Sequence, residues 1–305
     1  MTSRTPAIAT PPPTITLAQA AAEGFRVPQR LTAPPRLVER YPGLYPLAVR
    51  LLIARRWLTW ILGRHRWAQA GDPEATPQVI RRHSSLLMRE LGAEEMVWQH
   101  NKVVNLRLAA ARVDGVVIRP GETFSFNRTV GNCTRRKGYI EGMRLSNGSA
   151  IAGVGGGICQ LANLIHWMVL HTDLTVVERS EHSFDPFPDK GRVLPWGVGC
   201  SIAYNYVDLV VRNDTDRTYR LQTWVDERHL RGVLWADSPL PVRYRVQARD
   251  ERFLRHQGRV FRQNQIWRTA TCKRTGNRVE ETLVKENCAL VKYSPDEAQI
   301  IDVLA

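Results

Sequence analysis

Cysteine is scarce in this chain and never closely spaced. The five residues, Cys133, Cys159, Cys200, Cys272 and Cys288, form no CxxC pair, which argues against a zinc site and against a disulfide framework. A reducing compartment is the simpler expectation. Long apolar runs are missing too: no window reaches the ~18 uncharged apolar residues that mark a spanning helix. The opening residues, MTSRTPAIATPPPTITLAQA, lack the charged-then-apolar order of a secretory signal. The chain is therefore expected in the cytoplasm, at most peripheral on the inner membrane face. Acidic residues are the minority, 29 against 43 Lys and Arg, for a net charge of +14. That balance suits a polyanionic neighbour: nucleic acid, acidic lipid or an anionic wall polymer. No helix-turn-helix, zinc-finger or aromatic RNA-binding signature accompanies the charge, so nucleic acid is the least supported.

What remains is a globular composition of 305 residues, 43% of them hydrophobic, enough for a sizeable core. The pattern predicts an α+β fold with N-terminal helices, one helix after a glycine run packed on a mostly antiparallel sheet, and a β-rich tail. Residues 1–36 hold many of the prolines and read as a disordered arm. Residues 37–100 read as a helical region, with HSSLLMRELGAEEMVWQHNKVV helical on both sides of Gly92. Within that region, residues 41–67 mix leucine, isoleucine and tryptophan with Arg50, Arg55, Arg56, Arg64 and Arg66. Such a basic amphipathic helix can lie on an anionic membrane surface, or it can pack on the domain and point its arginines at water. Residues 101–240 form the core domain. In it, Leu106, Ala109, Ala110 and Val113 recur at helical spacing, PGETFSFNRTVG reads as a turn and extended segment, and CSIAYNYVDLVVRND reads as a strand. Residues 241–305 form a basic β-rich extension.

The chemistry concentrates in AGVGGGICQLANLIHW. Gly155, Gly156 and Gly157 allow backbone conformations closed to other residues and let a ligand approach the main chain. A helix begins directly after them, and its free N–H groups favour an anion. Cys159, in that first turn, is expected to carry a lowered pKa. The bland alternative is a small buried thiol beside a tight turn. No Gly-Lys-Ser/Thr follows the glycines and the dinucleotide spacing is wrong, so no cofactor and no metal are expected.

A catalytic thiolate needs a base. His166 is two helical turns along, ~10 Å away, and His171 is farther. His182 is better placed, because the strand from Leu174 to Glu181 can return the ~18 Å that the helix advances. Asp185, Asn205 and Asp208 are alternative third residues to orient it. Cys200 and Cys133 are weaker rival nucleophiles, since neither combines a glycine run with a helix start.

Three strings, NKVVNLRLAAARVDGVVIRPGETFSFNRTVG, KGYIEGMRLSNG and GVGGGICQLANLIHWMVLHTDLTVVERSEHSFDPFPD, resemble the VanW family over roughly residues 37–240. The resemblance implies a link to vancomycin resistance and peptidoglycan metabolism. Some wall-associated relatives look like L,D-transpeptidases that cross-link stem peptides through a cysteine acyl-enzyme. Carried over, Cys159 would be the nucleophile and His182 its base, with Gly155, Gly156, Gly157 and Gln160 shaping the site. Thr123, Ser125 and Asn127 would touch substrate if their strand lines the cleft. One departure stands out: where the family often has Gly-x-Asp-Ala, this chain has Gly197-Val198-Gly199-Cys200. Asp185 or Asp208 would have to replace the missing carboxylate. The implied partner is a peptide or peptidoglycan precursor, handled by an acyl transferase or held by a non-catalytic stem-peptide or glycopeptide-binding accessory protein.

Overall fold

The computed structural model describes residues 13–88, 93–146, 149–180, 184–186, 188–189 and 192–304. In chain order, β1 (Thr14–Thr16) runs into α1 (Leu17–Ala22), and two single turns, α2 (Gln29–Thr32) and α3 (Leu37–Arg40), precede the long α4 (Tyr45–Leu62). Then come β2 (Arg66–Trp67), β3 (Gln69–Ala70), β4 (Gln78–Leu86) and α5 (Ala93–Val113). The middle of the chain holds β5 (Val116–Ile118), β6 (Glu122–Ser125), α6 (Phe126–Val130), the hairpin β7 (Glu141–Ser146) and β8 (Ser149–Val154), and α7 (Cys159–Val169). Short strands β9 (Thr175–Glu178), β10 (Phe184–Asp185) and β11 (Val210–Arg212) lead to β12 (Tyr219–Val225) and β13 (His229–Ala236). The long antiparallel β14 (Val242–His256), β15 (Arg259–Cys272) and β16 (Arg278–Val291) follow, and β17 (Ile300–Leu304) closes the chain. This is an α+β fold.

Two helices and two sheets make the main core. Strands order β3-β5-β12-β13-β4 in one sheet and β2-β6-β11-β9 in the other. Leu106, Ala109, Ala110 and Val113 of α5 are all buried, as their spacing predicts. From α7, Leu161, Leu164, Ile165 and Met168 enter the same cluster. Each fully buried leucine there contributes about 2–3 kcal/mol through burial. Gly232 of β13 lets α7 lie this close, for a Cβ there would fall 2.4 Å from the Leu164 side chain.

The structure departs from the sequence reading in four places. Residues 83–86 belong to β4, not to a helix: His229–Ala236 of β13 pairs antiparallel with Leu86–Gln78, and this ladder outweighs local helix preference. Part of the expected disordered arm, residues 13–36, is ordered. Thr14–Thr16 pairs parallel with Asp302–Leu304, and Ala20 and Phe25 bury against Leu254, Phe261 and Val303. A short edge strand tolerates the surrounding prolines because its other side needs no ladder. In PGETFSFNRTVG the extended part ends at Ser125, whose hydroxyl caps α6 by accepting from the Arg128 N–H at 3.1 Å. In CSIAYNYVDLVVRND only Val210–Arg212 is a strand; residues 200–207 form a loop closed by an Ala203–Val207 bridge.

The tail sheet is not an appendage. Its order, β1-β17-β14-β15-β16-β10, takes one strand from the start of the chain and one from its middle. Trp167 and Leu170 of the α7 region pack with Val246 and Ile266 of β14 and β15.

Candidate functional site

The glycine run folds as a tight junction held from both sides. Gly155 and Gly157 take left-handed φ of 76° and 90°, which glycine adopts without strain. Gly156 meets the backbone of Gly142 in β7, where an added Cβ would fall 2.1 Å from the carbonyl carbon. Asn105 of α5, buried, clamps the junction. Its amide donates to the carbonyls of Ile140 at 3.0 Å and Gly156 at 2.9 Å, and its oxygen accepts from the Ile140 N–H at 2.9 Å. Gly155 faces the Cβ of Cys133, and Gly157 faces the stem of Lys102. The three glycines thus admit β7, α5 and Cys133, and their Cα faces are already occupied.

Cys159 begins α7, whose N-terminus has no side-chain cap. The backbone N–H groups of Ile202 and of Cys159 itself, together with the Arg144 guanidinium, favour the thiolate. Burial is nevertheless the largest influence, and the thiol pKa is raised. That is opposite to the lowering expected from a helix start. Cys133 is raised as well, first by burial, although the Tyr139 hydroxyl, Lys137 and Arg144 all pull it down. The two thiols are close enough to raise each other's cost of ionising. All five cysteines are free.

Arg144 is the residue the sequence reading passed over. It stood inside the string KGYIEGMRLSNG, but nothing local marks it. Its charge acts on Cys159, Cys133 and Tyr206 at once, and its side chain is exposed. Among the described residues it has no hydrogen bond and no carboxylate partner. Tyr206, hydrogen-bonded to Tyr45 of α4, has its pKa pushed up to about 12, chiefly by burial.

The remaining expected residues sit as follows. His182 lies outside the described residues. His166 cannot substitute for it: its Nδ1 is held at 2.8 Å by the Val198 carbonyl, and burial lowers its pKa to about 3. His171 is bonded to the Trp167 carbonyl and lowered by burial to about 4. Asp208 receives the Ser125 hydroxyl at 2.6 Å, the Asn127 N–H at 2.9 Å and the Leu209 N–H at 2.8 Å. Asn127 also donates to the carbonyls of Ala203 and Val207. Ser125, Asn127 and Asp208 are buried, so they tie β6 and α6 to the 200–208 loop. Thr123, also buried, sits in the β6–β11 ladder opposite Arg212.

Gln160 turns away from the thiol and donates to Ser85 Oγ at 2.8 Å and the Leu86 carbonyl at 2.9 Å. Asp185 joins a different cluster, accepting from Arg262 at 3.1 Å and from the Tyr293 hydroxyl at 2.9 Å. Asn205 is fully buried with φ of 62°, and neither polar atom of its amide has a partner among the described residues. Among those residues, no three His, Cys, Asp or Glu side chains group so as to hold a metal ion. No helix among them is long and apolar enough to cross a membrane.

The architecture is that of a mixed α+β domain organised round a glycine–cysteine junction. The family model described as VanW like protein matches residues 101–235. The chain is 31% identical over 267 residues to the vancomycin B-type resistance protein VanW of Enterococcus faecalis, covering 86% of this chain and 96% of that one. It is 40% identical over 96 residues to the uncharacterized protein YoaR of Bacillus subtilis, covering 30% of this chain and 32% of that one. No solved structure matches significantly. The chain belongs to the VanW family.

Proposed function

We propose that this chain is an accessory protein of cell-wall peptide metabolism that binds a peptide by its terminal carboxylate at the mouth formed by Arg144 and the start of α7. One observation carries the reading: Arg144 is exposed, cationic and without a carboxylate partner among the described residues, beside a helix N-terminus that no side chain caps. A guanidinium is complementary to a carboxylate, and the positive end of the α7 dipole favours the same charge. The relative named for vancomycin resistance supports a cell-wall peptide as the class of ligand. Titration calorimetry with a D-Ala-ended stem peptide tests this. Binding is expected to survive Cys159→Ala. It is expected to weaken about ten- to a hundredfold in Arg144→Gln or when the peptide is amidated, matching the ~1.5–3 kcal/mol of a charge-assisted hydrogen bond. Equal affinity for acid and amide would refute it.

A second reading, acyl transfer, is favoured by the helix-start position of Cys159 and by the Ile202 N–H and Arg144 charge that favour its thiolate. Here the thiolate attacks a peptide carbonyl, the amine leaves with the proton that His182 first accepts, and a thioester remains on Cys159. Intact mass spectrometry decides it: an acyl adduct on the native chain, absent from Cys159→Ser, is required. At neutral pH the thiol is expected to alkylate more slowly than free cysteine, because burial raises its pKa. Arg144→Gln is expected to slow it further.

A further inference from the structure

Among the described residues, the outward face of α4 is exposed. Trp60 is buried, and Val49, Ile53 and Arg56 are half-buried against the body. Arg56 is clamped by both oxygens of Glu178, at 2.6 and 2.7 Å, and Arg128 stacks over Trp60 and Trp67. These contacts fix which way the helix faces. Opposite them, a stripe of leucines, Leu44, Leu47, Leu51, Leu58 and Leu62, points to solvent. Leu51 is 62% exposed, Leu58 55%, Leu62 73% and the neighbouring Ile61 74%. At ~100° per residue, Arg50 and Arg55 fall on either flank of this stripe. Both are exposed, and no Asp or Glu occurs from Tyr41 to Gly71.

We propose that this face docks on an anionic lipid bilayer, with α4 lying in the plane of the surface. A helix ~27 Å long with leucines outward and arginines along both edges matches an interfacial helix, whose apolar side enters the acyl boundary while its cations reach the headgroups. A protein partner of the same shape would meet arginines on both sides of its seam. The chain's net charge of +14 draws it to the same surface. Exposed Tyr41, Tyr45 and Trp57 supply the amphipathic rings that settle at headgroup level. Tyr45 also hydrogen-bonds Tyr206, whose neighbour Arg144 serves the Cys159 mouth, so docking holds that mouth beside the lipid. The docking itself does not depend on what Cys159 does.

Co-sedimentation of the full chain with vesicles of phosphatidylcholine, with and without phosphatidylglycerol, tests the proposal. Binding is expected only to the anionic vesicles, weakened by salt, with a blue shift of tryptophan emission from Trp57. Arg50→Gln and Arg55→Gln are each expected to weaken it roughly fivefold. The double variant Leu51→Glu, Leu58→Glu is expected to abolish it while leaving the thermal midpoint unchanged, since both side chains already face solvent. Three results would overturn the proposal: no binding at low salt, binding that the leucine variant leaves intact, or a solution dimer that the same variant dissociates, which would mean a second copy covers the face.

Discussion

Cys159 and Asp208 show how burial decides ionisation against local stabilisation. A helix N-terminus offers a thiolate about 0.3–1 kcal/mol, less than one pKa unit, while burial can shift a group several units. At Cys159 the N–H of Ile202 and the charge of Arg144 oppose burial without overcoming it. Asp208 follows the same rule: burial raises it from 3.8 to about 6, against the pull of Ser125 and the Asn127 N–H. A carboxyl raised in the native state binds more protons there than in the unfolded chain. Its contribution to stability is therefore full below about pH 4 and lost as the pH rises to about 6. The change amounts to roughly 3 kcal/mol. Asp208→Asn is expected to flatten this part of the pH profile in urea unfolding, and Ser125→Ala to steepen it by removing a donor to the charged form. An unchanged profile in both would show that Asp208 is not the titrating group.

At the scale of elements, the glycine loop and α7 were the most readable part of the chain. A helix directly after the glycines is what the sequence predicts, and α7 spans Cys159–Val169, because its apolar spacing and the preceding glycines are local signals. What the glycines are for was not local. Gly156 has a neighbour in β7 and a clamp on α5, neither visible in its own string. Gly156→Ala would drive a Cβ to 2.2 Å from the Gly142 carbonyl oxygen, against backbone rather than a side chain that could yield. It is expected to cost at least about 3 kcal/mol and to lower the thermal midpoint, whereas Gly43→Ala, with nothing within 4 Å, is expected to stay within about 0.5 kcal/mol of the parent. HSSLLM reads locally as a helix start, and pairing with β13 makes residues 83–86 a strand instead.

The whole molecule is knit by strands that are distant in sequence. Arg262 of β15, buried, is ion-paired to Asp185, Asp189 and Glu251 and lies between the rings of Trp196 and Phe253. It ties the tail sheet to the loop before the 200–208 segment. A chain ended after Leu240 would strip β1 and β10 of their partners β17 and β16 and bare Trp167, Leu170 and Val198. Such a truncation is expected to aggregate, or to melt at least about 5 °C lower by scanning calorimetry. A fragment melting at the parent temperature would show that the tail sheet folds independently.

By itself the sequence determined the α+β class, the periodicities of α5 and α7, the helix-start position of Cys159, a basic leucine-rich helix within residues 41–67 and the family strings. All of these depend on residues within a few turns of one another. Only the tertiary structure decided which face of α4 is left bare, that Ser125, Asn127 and Asp208 bond one another in the interior, that Gln160 turns to β4, and that Arg144 stands beside the thiol. Those outcomes rest on which distant surfaces exclude water together, and hydrophobic burial carries no direction along the chain.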